Sequence, residues 1–339
     1  MAPVRGVLRE AGSDFDPSNM IVRLMSDGTI GYEDLIAGAK EALMGSLTQS
    51  VALVARLLSP AMLLAVLSEL MGEGSRKALA AGFLCYLSVA LTLMDSFRSA
   101  TGEVLFLSKH VGQFIGALFP LLSTLLVACG AHFGAAAYSP LSVLGAGILS
   151  GVVGKVSLGL CSLASVAVVF GSLSERFSLG KLTSLCKSLL TWVLGLALTG
   201  FLGLIAAQNL LSGAQDSAAL RASKYAAKNL IPGVGNEVAD ALFAISGSAI
   251  AVKNAAGIAG IAALIVFCMA PVVRIFCAML AARVAAALLE PLGSSMLTKL
   301  IDRFAELFSM LLVAGCASVV VGIILIGAVL GAGNVIAVA

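Results

Sequence analysis

The residues best suited to chemistry lie close together. Glu237, Asp240, Lys253 and Asn254 fall in the stretch KNLIPGVGNEVADALFAISGSAIAVKN, residues 228–254, which is flanked by long apolar runs. Facing lipid, each charged group would cost about 2.5–3.5 kcal/mol on insertion scales, so these side chains must face protein, water or the interface. Two carboxylates, an ammonium and an amide so placed can line a polar path or clamp a partner. Asp240 is the group expected to matter through its charge. Lys253 is the nearest basic candidate in sequence, but thirteen residues of helix span about 20 Å. A direct pair therefore requires the chain to turn between them, for example at Gly247.

The same stretch carries Pro232, Gly233 and Gly235. A Pro and Gly pair interrupts the backbone ladder, which a membrane tolerates only where protein or water re-satisfies the freed groups. Three arrangements fit residues 229–253. They form a re-entrant hairpin lining a cavity, a crossing helix with Asp240 toward a bundle interior, or an interfacial amphipathic helix.

Catalytic patterns are absent from the sequence. It contains no GxxxxGK[ST], HExxH or GxSxG, and Gly233-Val234-Gly235 lacks the rest of a dinucleotide fingerprint. With only two histidines, His110 and His132, no multi-histidine metal site is expected. The seven cysteines show no paired spacing and read as small hydrophobes. The reading is of a non-enzymatic chain with no cofactor and no nucleic-acid partner.

The elements that hold these residues follow from composition. Of 339 residues, 60% are hydrophobic and 12% charged. Soluble domains carry about 25% charged residues. Several apolar runs exceed the roughly 20 residues a helix needs to cross a bilayer. The runs are continuous rather than alternating, so helices rather than barrel strands are expected. Residues 1–46 form a polar N-terminal segment and an interfacial helix. Residues 47–111 hold two transmembrane helices, about 48–71 and 78–97, with a connector. Arg56 lies near the start of the first and is expected to snorkel to the interface.

The rest reads as two tandem membrane repeats, 112–212 and 213–332, the second with an amphipathic lead-in. Leu118-Phe119-Pro120 matches Leu230-Ile231-Pro232, so Pro120 and Pro232 would open equivalent broken or re-entrant segments. Leu182-Thr183-Ser184-Leu185 matches Leu297-Thr298-Lys299-Leu300 at a separation of 115 residues (182 to 297), shared by Glu175 and Glu290. The connectors 175–188 and 291–304 read as interfacial amphipathic helices. If each repeat crosses twice, the basic residues of both connectors share one side, which the positive-inside rule makes cytoplasmic. If each crosses three times, the repeats are inverted. The fold class is thus an all-α polytopic integral membrane protein with two Pro-broken repeats.

Residues 221–261, RASKYAAKNLIPGVGNEVADALFAISGSAIAVKNAAGIAGI, and 287–295, ALLEPLGSS, resemble the stage III sporulation protein AE family of endospore-forming bacteria. The matching positions are Tyr225, Asn229, Pro232, Gly235, Lys253, Asn254, Gly257, Gly260, Pro291 and Gly293. Family precursors begin with a secretory segment, whereas residues 1–32 show no basic start followed by an apolar core. The resemblance implies a multi-pass protein of the mother-cell membrane facing the forespore. It implies membership of a channel or secretion-like complex, with other stage III sporulation membrane proteins and a separate cytoplasmic ATPase as partners. A homo-oligomer is compatible with it. A stand-alone secondary transporter and a structural scaffold recruiting other subunits are the alternatives.

Overall fold

The computed structural model describes residues 32–71, 76–173, 180–230, 235–292 and 295–332. Among them every regular element is a helix. Helix α1 spans Tyr32–Met71, α2 Arg76–Ala128 and α3 His132–Gly147. A π-helical stretch, Ile148–Ser157, carries α3 into α4, Leu158–Leu173. Then follow α5, Gly180–Leu230, α6, Gly235–Leu289, a short 3-10 turn, Glu290–Leu292, and α7, Ser295–Gly331. Among the described residues six stretches are long and apolar enough to cross a membrane: Met44–Leu67, Ala80–Ala128, His132–Ser172, Gly180–Ala219, Ser246–Leu289 and Met296–Gly331. The chain is an all-α polytopic membrane protein.

Successive long helices run antiparallel. Near one end of the bundle the Tyr86 hydroxyl of α2 donates to the Val169 carbonyl of α4 at 2.7 Å. At that end Arg303 of α7 also lies against Gly180 of α5. At the other end Gly257 of α6 meets Leu330 of α7, and Gly134 of α3 meets Leu126 of α2. α6 and α7 are the most buried spans, and α1 and α5 the least.

The packing uses small residues where helices cross. A Cβ at Gly260 would lie 2.7 Å from Leu118 of α2, and one at Gly322 of α7 would lie 2.8 Å from Leu264 of α6. Glycine is needed there to let the backbones approach. Large residues fill the rest: Phe97 of α2 sits edge-on to Phe304 of α7, with centroids 6.2 Å apart at 82°. Gly147, Gly151, Gly327 and Gly331, whose spacing also suits close packing, meet no neighbour that a Cβ would touch.

The structure corrects several expected boundaries. The second span, the connector to His110 and the next apolar block are one helix, α2, of 53 residues. Asp95, Arg98, Glu103 and Lys109 are polar but helix-compatible, so polarity alone does not interrupt the ladder. Pro120 does not break α2, which continues to Ala128. Ser123 donates its hydroxyl to the Pro120 carbonyl at 2.9 Å. The break comes at Gly130, whose φ of 86° is open to glycine and reverses the chain. Pro232 and Gly233 lie outside the described residues, between α5 and α6. The starts of α5 and α7 do keep the separation of 115 residues (180 to 295).

The connectors are not separate helices either. Described residues of 175–188 are the first turns of α5, with Leu182, Leu185 and Leu189 facing outward. In the second connector Leu297, Leu300 and Phe304 are buried within the bundle on α7, and only Met296 of that face is exposed.

Candidate functional site

Lys253 stands on α6 and is fully buried. Its Nζ donates to the carbonyl of Leu330 at 3.0 Å and to that of Ala332. Both carbonyls belong to the terminus of α7, where the last turn of a helix has no N–H of its own to satisfy its oxygens. A cation there also complements the negative end of the helix dipole. Lys253 is therefore a C-terminal cap supplied by the antiparallel neighbour. One turn on, Gly257 receives the Leu330 side chain at the same place. Lys253 and Gly257, four residues apart on one face of α6, grip the end of α7 together.

Asn254 is next in sequence, and its Oδ1 is buried with no hydrogen-bond partner among the described residues. Gly235, Glu237 and Asp240 belong to the first turns of α6. The side chains of Glu237 and Asp240 lie outside the described residues. α6 runs unbroken from Gly235 to Leu289, so the turn at Gly247 required for a direct Asp240–Lys253 pair does not exist. The same continuity rules out a hairpin within 235–253. The structure thus brings Lys253 to a helix terminus rather than to Asp240.

A second polar clamp at this end escaped the sequence reading. Asp216 on α5 is buried. Its Oδ1 accepts the Phe133 N–H and its Oδ2 the Gly134 N–H, both at 2.9 Å. These are free N–H groups in the first turn of α3, whose own N-cap Ala131 offers no side-chain bond. A carboxylate there satisfies two donors and meets the positive end of the dipole. Two turns earlier on α5, Asn209 Oδ1 accepts from the Tyr138 hydroxyl of α3. Asn209, Ser212 and Asp216 recur at helical spacing, a polar stripe that was readable in the sequence.

A third polar feature lies deeper in the bundle. Where α3 meets α4, the π-helical turns leave carbonyls to side-chain hydroxyls. Ser108 of α2 donates to Leu149 O, and Ser157 donates to Val152 O at 3.0 Å. Such widened turns occur frequently at functional sites.

The arrangement is one of clamps that fix helix ends inside an apolar bundle. It holds no assembled nucleophile, base and oxyanion donor among the described residues. The stage III sporulation protein AE family matches residues 15–333 of the chain. Stage III sporulation protein AE of Bacillus subtilis (strain 168) is 26% identical over 219 residues, covering 65% of this chain and 55% of that protein. The match thus spans about half the length of that curated relative. No solved structure matches the chain. With the family match running over nearly all of its length, from the segment before α1 to the end of α7, the chain belongs to the stage III sporulation protein AE family.

Proposed function

We propose that the chain is a non-enzymatic membrane component of a channel or secretion-like complex that connects mother cell and forespore during sporulation. The observation that carries this reading is the family match over residues 15–333, joined to six membrane-crossing helices. In this reading the protein sits in the mother-cell membrane facing the forespore. Its partners are other stage III sporulation membrane proteins and a separate cytoplasmic ATPase. The sequence itself carries no nucleotide-binding motif, which suits that division of labour.

Glu237 and Asp240, on the charged segment that opens α6, are the proposed contacts with a partner or a polar path. The test is Asp240→Asn in a sporulating host, scored for co-purification of the other stage III membrane proteins and for forespore development. Lost development with intact assembly places Asp240 on the path, and lost assembly makes it a partner clamp. Normal assembly with normal spores removes Asp240 from the proposal. Reconstitution into liposomes tests the wider reading. Solute flux by the chain alone would replace the component reading with a stand-alone transporter.

A further inference from the structure

Arg56 of α1, Asp95, Ser96, Ser99 and Glu103 of α2, and Arg274 of α6 line one groove of about 330 Å³. All three helices contribute from their membrane-crossing stretches, Met44–Leu67, Ala80–Ala128 and Ser246–Leu289. Arg56 lies inside the apolar stretch Met44–Leu67 of α1. Lipid tails offer nothing to charged groups in such a stretch, whereas water or a hydrophilic ligand does.

The charges in the groove are of two kinds. Arg274 donates from Nη1 to Glu103 Oε1 at 2.9 Å, so these two neutralise each other. Arg56 and Asp95 form no ion pair with any described residue, and both side chains are exposed. One open cation and one open anion therefore stand on facing helices, with the Ser96 and Ser99 hydroxyls beside them. A singly charged ligand would leave one of the two unmet. A small molecule carrying both signs meets both. The volume lies at the small end of ligand pockets, roughly 300–1,000 Å³.

We propose that this groove is a water-filled binding site for a small zwitterionic solute, with the solute's carboxylate toward Arg56 and its ammonium toward Asp95. This deepens the channel-component reading by naming a solute class. It is tested on the full chain without partners, so its failure is separate from failure of that reading.

The test uses Ser99→Cys in nanodiscs of phosphatidylglycerol, labelled by a membrane-impermeant methanethiosulfonate. The wild-type chain sets the background, because its outward-facing cysteine is Cys316 and the other six are buried. Leu105→Cys, exposed on another face of α2, is the lipid-facing comparison. Only a thiolate reacts and it forms in water, so Ser99→Cys should label roughly tenfold faster than Leu105→Cys. Ser96→Cys serves in its place should Ser99→Cys not purify as a single species. Millimolar glutamine should slow the labelling several-fold, and acetate or methylammonium at the same concentration should not. Asp95→Asn should abolish the protection. Labelling of both groove cysteines no faster than Leu105→Cys would overturn the proposal. So would protection by acetate or methylammonium alone, or no protection by glutamine. Protection that requires phosphatidylethanolamine in the disc, and not glutamine, would assign the groove to a lipid headgroup and overturn the solute site.

Discussion

A lysine buried in an apolar bundle has two routes to satisfaction, a carboxylate or a set of free carbonyls, and Lys253 takes the second at Leu330 and Ala332. Removing it leaves helix-terminal oxygens buried and unpaired, which costs about 1–3 kcal/mol. Lys253→Met, which keeps the bulk, should therefore lower stability by that amount in detergent-solubilised protein followed by circular dichroism. Lys187→Met, at an exposed site on α5, should change it by no more than about 0.5 kcal/mol. Asp216 is the mirror case at a helix N-terminus. Asp216→Asn retains one acceptor for two N–H groups and should cost less than Asp216→Ala, which should cost about 1–2 kcal/mol. A neutral Asp216→Asn beside a costly Asp216→Ala would mean that Asp216 acts by filling space, since Asp and Asn are of one size. Lys253 and Asn254 were legible in the sequence as polar groups out of place. Their partners were not, because a lone polar residue in an apolar helix shows that it needs a partner without showing which. Asp216 was visible in the same way and points to a backbone that no side-chain pattern reveals.

At the scale of the element, apolar length told where helices must lie, and all six spans fall on apolar runs of the sequence. The joints were harder. Asp95, Arg98 and Glu103 looked like a connector, yet Arg and Glu are good helix formers and α2 passes through all three. Pro120 looked like a breaker, yet proline removes one donor while Gly130 supplies the left-handed backbone that turns the chain. The same logic separates glycines that matter from those that do not. Gly260→Leu and Gly322→Leu push side chains into Leu118 and Leu264. Each should cost about 1–3 kcal/mol or more through overpacking. Gly151→Ala, with open space around it, should be neutral in the same circular-dichroism assay. A neutral Gly260→Leu would mean that α6 and α2 do not approach as closely as described.

At the scale of the whole molecule, the antiparallel order of the six apolar stretches among the described residues brings the C-terminal ends of α1, α4 and α6 to one end of the bundle. Arg76, Lys77, Arg176, Lys181, Lys187, Lys299 and Arg303 cluster in sequence around those ends, against Arg221, Lys224 and Lys228 toward the other end, so the positive-inside rule assigns the richer end to the cytoplasm. The turn at Gly130 and the C-terminal end of α5 then face the other side. The most direct measurement of this account is the side on which each connection is labelled in intact cells, using single reporter cysteines. The account predicts that residues 72–75, 174–179 and 293–294 report from the cytoplasm, and 129–131 and 231–234 from the opposite side. Labelling of 174–179 and 293–294 on opposite sides would contradict it, because an odd number of crossings would then separate them where α5 and α6 make two.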